Sequence, residues 1–315
     1  MRVFFPIFIL VLIATACSNR EGATTSAPSP ASVSTTAPVA SSTTSVPAGR
    51  PAVCPVRVEG REVGRVTLAE LNEISGAAVS RSRPGVIWVH NDSGAEPVVY
   101  ALSQDGELLD RVALPDLDAR DWEDMAIGPG PSPGIDYLYL ADIGDNQGSR
   151  ESVQIHRIPE PAAGTKEAVA AQTLELTYPT GPVEAETLLV DRATGDMVIA
   201  GKKLSGATTL FGVDGTIDWS QRQEATLIGE IQLGTFAAAT GGDADDTRVL
   251  IRTYDEVFQW ERLAGDSLAQ SLLSAGCRVA SLREQQGEAI ALSGEGFLTL
   301  SEGIDQPILL FAPAG

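Results

Sequence analysis

The 315 residues hold 42 acidic against 22 basic side chains, a formal net charge of −20. Arg2, Arg20 and Arg50 against Glu21 leave the first fifty residues at +2, so the remaining 265 carry −22. A surface of that sign argues against nucleic acid and anionic membrane as direct partners and leaves cations, or solubility alone, as its use. With two histidines in the whole chain, a zinc centre is a poor expectation as well.

In chain order, the first element is a targeting segment. Met1-Arg2 is a basic start, and residues 3–13 are an apolar run too short to span a bilayer comfortably. Pro6 argues against a buried helix there. Ala14-Thr15-Ala16-Cys17 follows. It resembles the signal of bacterial lipoproteins, in which the cysteine is lipidated and becomes the new N-terminus; Ala14 stands where that signal usually has Leu. The resemblance implies a lipoprotein signal over residues 1–17 and a palmitate-bearing Cys17 on the outer side of the cell membrane. Residues 18–50 are almost entirely Ser, Thr, Ala, Pro, Val and Gly, a composition that cannot bury a core. They read as a disordered tether spanning roughly 30 Å as a flexible coil.

Residues 51–315 form the folded part. Short apolar runs recur there at regular spacing between turns rich in Gly and Asp, the pattern of an all-β repeat fold. Four strands per unit are expected. Unit one takes 75–79, 86–90, 98–102 and 108–114, and unit two takes 123–127, 137–141, 153–158 and 173–178. Unit three takes 186–190, 197–201, 209–213 and 225–233; unit four takes 236–240, 249–254, 257–262 and 272–282. Unit five has only 288–292, 297–301 and 307–312, while the strand-like segment 56–68 has no unit of its own. Placing that segment as the outer strand of unit five closes a ring and removes its weak seam. The same placement makes Cys54 and Cys277 neighbours, and in an oxidising compartment they are expected to form a disulfide. The reading is a five-bladed β-propeller closed by its N-terminal strand, with a six-bladed ring as the alternative.

The repeat gathers acids at one mouth of the central channel. Inner strands begin there, and the turns between second and third strands return to it. The starts align as Ser75, Glu123, Glu186, Phe236 and Glu288, and two residues earlier lie Glu73, Asp121, Glu184, Gly234 and Gln286. Residues two apart on a strand share a face. The turns add Asp92, Asp142, Asp145, Lys202-Lys203, Asp255-Glu256 and Ser301-Glu302. Crowded carboxylates raise one another's pKa or recruit a cation, and oxygen ligands without His or Cys suit Ca²⁺. Glu123, Glu186 and Glu288 are the expected metal ligands, with Phe236 as an apolar wall. Glu73, Asp92, Asp121, Asp142, Asp145, Glu184 and Lys202 are the expected ligand-binding rim. Other signals are weaker. His90 beside Asp92 has the composition of a general base, but a strand-end imidazole held by hydrogen bonds is the simpler expectation. Ser132 sits in a literal G-x-S-x-G, yet its neighbours Pro131 and Pro133 forbid the strand-to-helix elbow that motif needs.

His90-Asn91-Asp92-Ser93-Gly94, Asp121-Trp122-Glu123-Asp124 and Asp142-Ile143-Gly144-Asp145-Asn146, with Ile74-Ser75-Gly76, resemble a group of bacterial secreted or lipid-anchored propeller proteins without an assigned activity. An acidic channel mouth is also distantly similar to the calcium-dependent propeller phosphatases (phytases) and the propeller lactonases. These likenesses imply a monomeric extracytoplasmic propeller, held to the membrane only through its anchor, that binds a protein or small ligand at the mouth. A metal-dependent hydrolase of phosphoesters or lactones is the alternative.

Overall fold

The structure is a computed structural model and describes Cys54, residues 58–168 and residues 171–313. The signal segment, Cys17 and the tether lie outside the described residues. Strand β1 (Val58–Val66) precedes blade one, which is β2 (Ile74–Val79), β3 (Val86–Asn91), β4 (Val98–Ser103) and β5 (Leu108–Ala113). Blade two is β6 (Trp122–Pro129), β7 (Asp136–Asp142), β8 (Val153–Pro159) and β9 (Gln172–Thr177); blade three is β10 (Ala185–Val190), β11 (Met197–Gly201) and β12 (Ala207–Val213). The chain then adds a two-residue strand, β13 (Gln223–Glu224), in parallel to β9 of blade two before completing blade three with β14 (Thr226–Gln232). Blade four is β15 (Ala239–Ala244), β16 (Arg248–Thr253) and β17 (Glu256–Glu261), then a short helix α1 (Leu268–Leu272), then β18 (Cys277–Ser281). Blade five is β19 (Gly287–Ser293), β20 (Gly296–Ser301) and β21 (Gln306–Pro313), with β1 antiparallel to β21 as its outer strand.

Five apolar clusters bridge the five sheets, so the ring is complete at this number. Trp88 and Val99 meet Met125 and Leu140 between blades one and two, and Tyr139 and Ile155 meet Leu188 and Phe211 between two and three. Leu189 and Val198 meet Val249 and Ile251 between three and four, and Leu250 and Val257 meet Ile290 and Phe297 between four and five. The last cluster joins Ile87 and Val89 of blade one to Leu298 and Leu300 of blade five. Closure by the N-terminal strand is as expected from the sequence, and Cys54 and Cys277 form the expected disulfide, with Cα atoms 5.5 Å apart.

Blade four corrects the sequence reading at two places. Its inner strand begins at Ala239 rather than Phe236. Phe236 lies in the approach to the strand, 79 % exposed and with φ +64°, so it walls no pocket. Just before its expected outer strand, 272–282, the chain forms helix α1, which overlaps it only at Leu272; there Ser267 and Gln270 form a reciprocal capping box and Leu268 and Leu272 bury one face. Only the second half of that segment, β18, pairs with β17.

Near the start of every inner strand the pairing skips one residue. The skipped positions are Ser75, Glu123, Glu186, Thr240 and Glu288. Such a bulge frees a residue from the ladder and re-aims its side chain. Immediately after the bulge of blade two, Asp124 is fully buried and accepts backbone N–H groups of Met125 (2.8 Å), Leu188 (2.9 Å) and Gly242 (3.1 Å). One carboxylate thus ties blades two, three and four together. Asp243 does the same towards blade five, taking the Leu292 N–H at 2.8 Å while pairing with Arg192 at 3.1 Å. Arg252, with Glu284 at 2.6 Å, donates to Ala289 O at 2.9 Å. These buried charges are spent on joining blades, which separates them from the acids of the mouth.

Candidate functional site: an acidic channel mouth

The five bulges split into two kinds. Ser75 donates its hydroxyl to Glu123 O, and Thr240 donates to Gly287 O at 3.1 Å, so both fasten a neighbouring blade. The other three bulged residues are Glu123, Glu186 and Glu288. Among the bulged residues, carboxylates therefore come from blades two, three and five.

They form two groups with a shared member. One carboxylate oxygen each from Glu123, Glu184 and Glu186 lies within 4.8 Å of the others, and so does one each from Asp92, Asp121 and Glu123. Three oxygens gathered that closely can face a single hard cation, and all-oxygen ligands suit Ca²⁺, which binds at about 2.3–2.6 Å. Glu123 is 3 % exposed and is the member that both groups share. Glu186 is 4 % exposed; its Oε1 receives the Lys202 ammonium, while its Oε2 is buried without a partner. Glu184 accepts the Asp145 N–H on Oε2 and leaves Oε1 buried without a partner. Room for this cluster depends on Gly144, because a Cβ there would collide with the carboxylates of Glu123 and Asp121.

Electrostatics follow from that crowding. Burial, then the charges of Glu186, Asp92 and Asp121, push the Glu123 carboxyl well above the usual range. Burial also raises Glu186 well above it, opposed by Lys202 and reinforced by Glu288. Burial pushes Glu288 up to about 7 against the pull of Lys202, and pushes Glu302 up to about 7 with help from Glu288 and Asp92. Asp92, Asp121 and Glu184 are raised, each first by burial. Burial works against the Lys202 ammonium, but Glu186 outweighs it and holds the amine protonated. Lys202 also lies 5.4 Å from the centre of the Tyr254 ring.

The expected site residues are therefore distributed unevenly. Glu123, Glu186, Glu184, Asp92 and Asp121 come together. Glu288 is outside both groups: it faces the same mouth, with Gln286 Nε2 at 3.4 Å, and Glu184 takes the place expected for it beside Glu123 and Glu186. Asp142 is buried against Arg150 at 2.6 Å. Asp145 accepts the N–H groups of Ser149 and Arg150, each at 2.9 Å, and so shapes its own loop. Glu73 is exposed at the rim and accepts the Asp92 N–H on its backbone oxygen at 2.8 Å. His90 is no base here. Its ring nitrogens face the carbonyls of Asn91 (2.8 Å) and Asp124 (3.2 Å), and burial lowers its pKa. Ser132 accepts from Tyr137 in a turn, at 3.1 Å.

Thr240, Tyr254 and Gly144 are site components the sequence reading did not single out. Tyr254 had a positional signal, since it follows the second strand of its blade. A cavity of about 320 Å³ opens beside the Asp92 group, lined by Ser93, Arg120, Asp121, Asp145 and Asn146.

No protein-family model and no curated protein matches the chain. Among solved structures, the soluble aldose sugar dehydrogenase of Escherichia coli in its apo form aligns with a TM-score of 0.48 and 9 % identity, over 82 % of this chain and 100 % of its own. A catalytically inactive virginiamycin B lyase of Staphylococcus aureus, solved with quinupristin, aligns at 0.42 and 12 %, over 80 % and 99 %. Both are β-propeller proteins. At these scores and identities they carry neither an activity nor a residue role to this chain.

Proposed function

We propose that this chain is an exported propeller acting as a binding module, which holds a calcium ion at its channel mouth and engages a ligand or partner there. The observation that carries the reading is the group Glu123, Glu184 and Glu186, which are buried or half-buried and in which Glu184 Oε1 and Glu186 Oε2 have no partner among the described residues. A buried unpartnered carboxylate is costly, and a hard divalent cation is the group that would remove the cost. When bound, the ion would supply positive charge and open coordination positions. Glu123, Glu184 and Glu186 would fix it, and Lys202 would hold Glu186 in place. Binding is favoured over hydrolysis because His90, the imidazole expected as a base beside Asp92, has both nitrogens against backbone carbonyls.

The test is thermal melting with calcium. A specific ion at a hundred times its Kd stabilises the fold by about 2.7 kcal/mol, which for a domain of this size is about 5–10 °C in Tm. Glu186→Gln should cut that increment to a small fraction of the parent's. The increment, not the absolute Tm, is the readout, because the variant also loses the Lys202 pair. No calcium-dependent shift in the parent, or an equal shift in the variant, would reject the site.

Export and anchoring through Cys17 belong to the same proposal. The Cys54–Cys277 disulfide supports an oxidising compartment. Cys17→Ser should move the protein from the membrane fraction to the soluble extracytoplasmic fraction. An unchanged membrane fraction, or a parent protein found in the cytoplasm, would overturn the anchor.

A further inference from the structure

The two carboxylate groups are not alternatives. We propose that the mouth is a two-cation site in which Glu123 bridges an inner ion, held with Glu184 and Glu186, and an outer ion, held with Asp92 and Asp121. The inference rests on the cation reading above and extends it.

Three observations carry it. Glu123 belongs to both groups, and one of its oxygens lies within 4.8 Å of the ligand oxygens of each. Its side chain is 3 % exposed and stands among the carboxylates of both groups. A carboxylate shared in this way spans two cations about 3.5–4 Å apart. The third observation is charge. The two groups together contain five carboxylates, and Lys202 is the ammonium paired among them. Four negative charges are then left when all five are ionised. One divalent cation halves that excess, and two cancel it. A single ion would leave two of those charges uncompensated, in a site where Glu123 and Glu186 are almost fully buried.

The ions are not equivalent. Glu184 is half-buried and Glu186 buried, whereas Asp92 and Asp121 are both half-buried, and Asp121 lines the cavity of about 320 Å³. Three protein carboxylates fill part of the six to eight oxygen positions that calcium takes. The open positions of the outer ion face that cavity, beside Ser93, Arg120 and Asn146. The inner ion is therefore the structural member of the pair, and the outer ion is the one that an oxygen-bearing ligand can reach.

The experiment is calcium titration calorimetry on the full-length protein at pH 7.5, with each variant's fold checked by circular dichroism. The expected stoichiometry is two ions per chain. Asp92→Asn should leave one ion, held by the inner group. Glu184→Gln should leave one, held by the outer group. Glu123→Gln should weaken both at least tenfold, and because it removes a repelled buried charge it should not lower the Tm of the calcium-free protein. One ion per chain in the parent, unchanged by Asp92→Asn, would overturn the two-ion site while leaving the proposed function intact. Two ions of which one survives Glu123→Gln at parental affinity would overturn the bridge. No binding in the parent would overturn both readings.

Discussion

Removing the Cys54–Cys277 disulfide is expected to lower the melting temperature by about 10 °C. The reason lies in how little else holds the closing strand. β1 pairs with β21 from Val58 opposite Pro313 to Val66 opposite Gln306, with one irregularity between Glu62 and Gly64. Of its nine residues only Val66 is fully buried. Val58 and Val63 pack partly against neighbouring clusters, and Gly60 runs directly under the Phe311 ring. The strand therefore contributes a backbone ladder and little apolar area. The disulfide fixes its start to β18 of blade four across 223 residues of sequence. For a loop that long the chain-entropy model gives about 5 kcal/mol, and removal of native bridges typically costs about 2–5 kcal/mol. A domain of this size loses about 2–4 °C per kcal/mol. Melts of the Cys54→Ser/Cys277→Ser variant against the parent measure this directly, and a change below about 2 °C would show that the strand holds on its own. A chain beginning at Leu71 should fare worse, because it also uncovers the β21 edge.

Most of this architecture was legible because blades one, two, three and five state their strands plainly. Val86-Ile87-Trp88-Val89 and Tyr137-Leu138-Tyr139-Leu140 are apolar runs bounded by turn residues, and each became the second strand of its blade. Blade four was misplaced for a physical reason. Its inner strand, Ala239–Ala244, contains Gly241 and Gly242 because other groups press against it. A Cβ on Gly241 would lie 2.5 Å from Glu288 O, and one on Gly242 would lie 2.8 Å from the Leu189 side chain. Glycines demanded by close packing look like a turn in a sequence, while the neighbouring Phe236-Ala237-Ala238 looks like a strand. Helix α1 was hidden by brevity. Ser267 and Gln270 do spell a capping box, but five residues are too few to show helical periodicity. At the site, composition and repeat position were enough to find the mouth and most of its acids. They were not enough to divide them. The bulges decide which side chains leave the ladder, and a bulge has no sequence signature of its own. Nor could spacing show that Asp142 would be taken by Arg150, or that Glu184 rather than Glu288 would share a group with Glu123 and Glu186.

The mouth also predicts how stability should respond to pH, and calcium should change the sign of that response. Glu288 and Glu302 are pushed up to about 7, and Asp92, Asp121, Glu123, Glu184 and Glu186 are raised as well. An unfolded carboxyl group titrates near 4, so the folded chain binds more protons between that value and the raised ones. Stability from these groups is present at low pH and is lost as pH rises through the folded values. The histidines act the other way. His156 is lowered to about 4 and His90 is lowered, first by burial in both cases, so they favour the folded state as pH rises towards about 6.5 and are silent above it. Lys202 stays protonated throughout. The window from pH 6.5 to 8 therefore isolates the acids. Glu288 contributes the last part of its loss there, and Glu302, half-buried, contributes less because solvent screens it. Together with their neighbours they should cost the calcium-free protein about 2 kcal/mol across that window, about 5 °C in Tm. With saturating calcium the trend should reverse, because the ion binds the ionised carboxylates and its stabilisation grows with their ionisation. Glu288→Gln with Glu302→Gln should reduce the calcium-free slope and leave the calcium increment at pH 8 largely in place, since neither residue belongs to either carboxylate group. Melts at pH 6.5 and pH 8, with calcium and with chelator, give the four values needed. Parallel slopes with and without calcium would separate the raised acids from any bound ion. A calcium-free Tm that rises over this window would mean that the mouth acids are already neutralised by something other than protons.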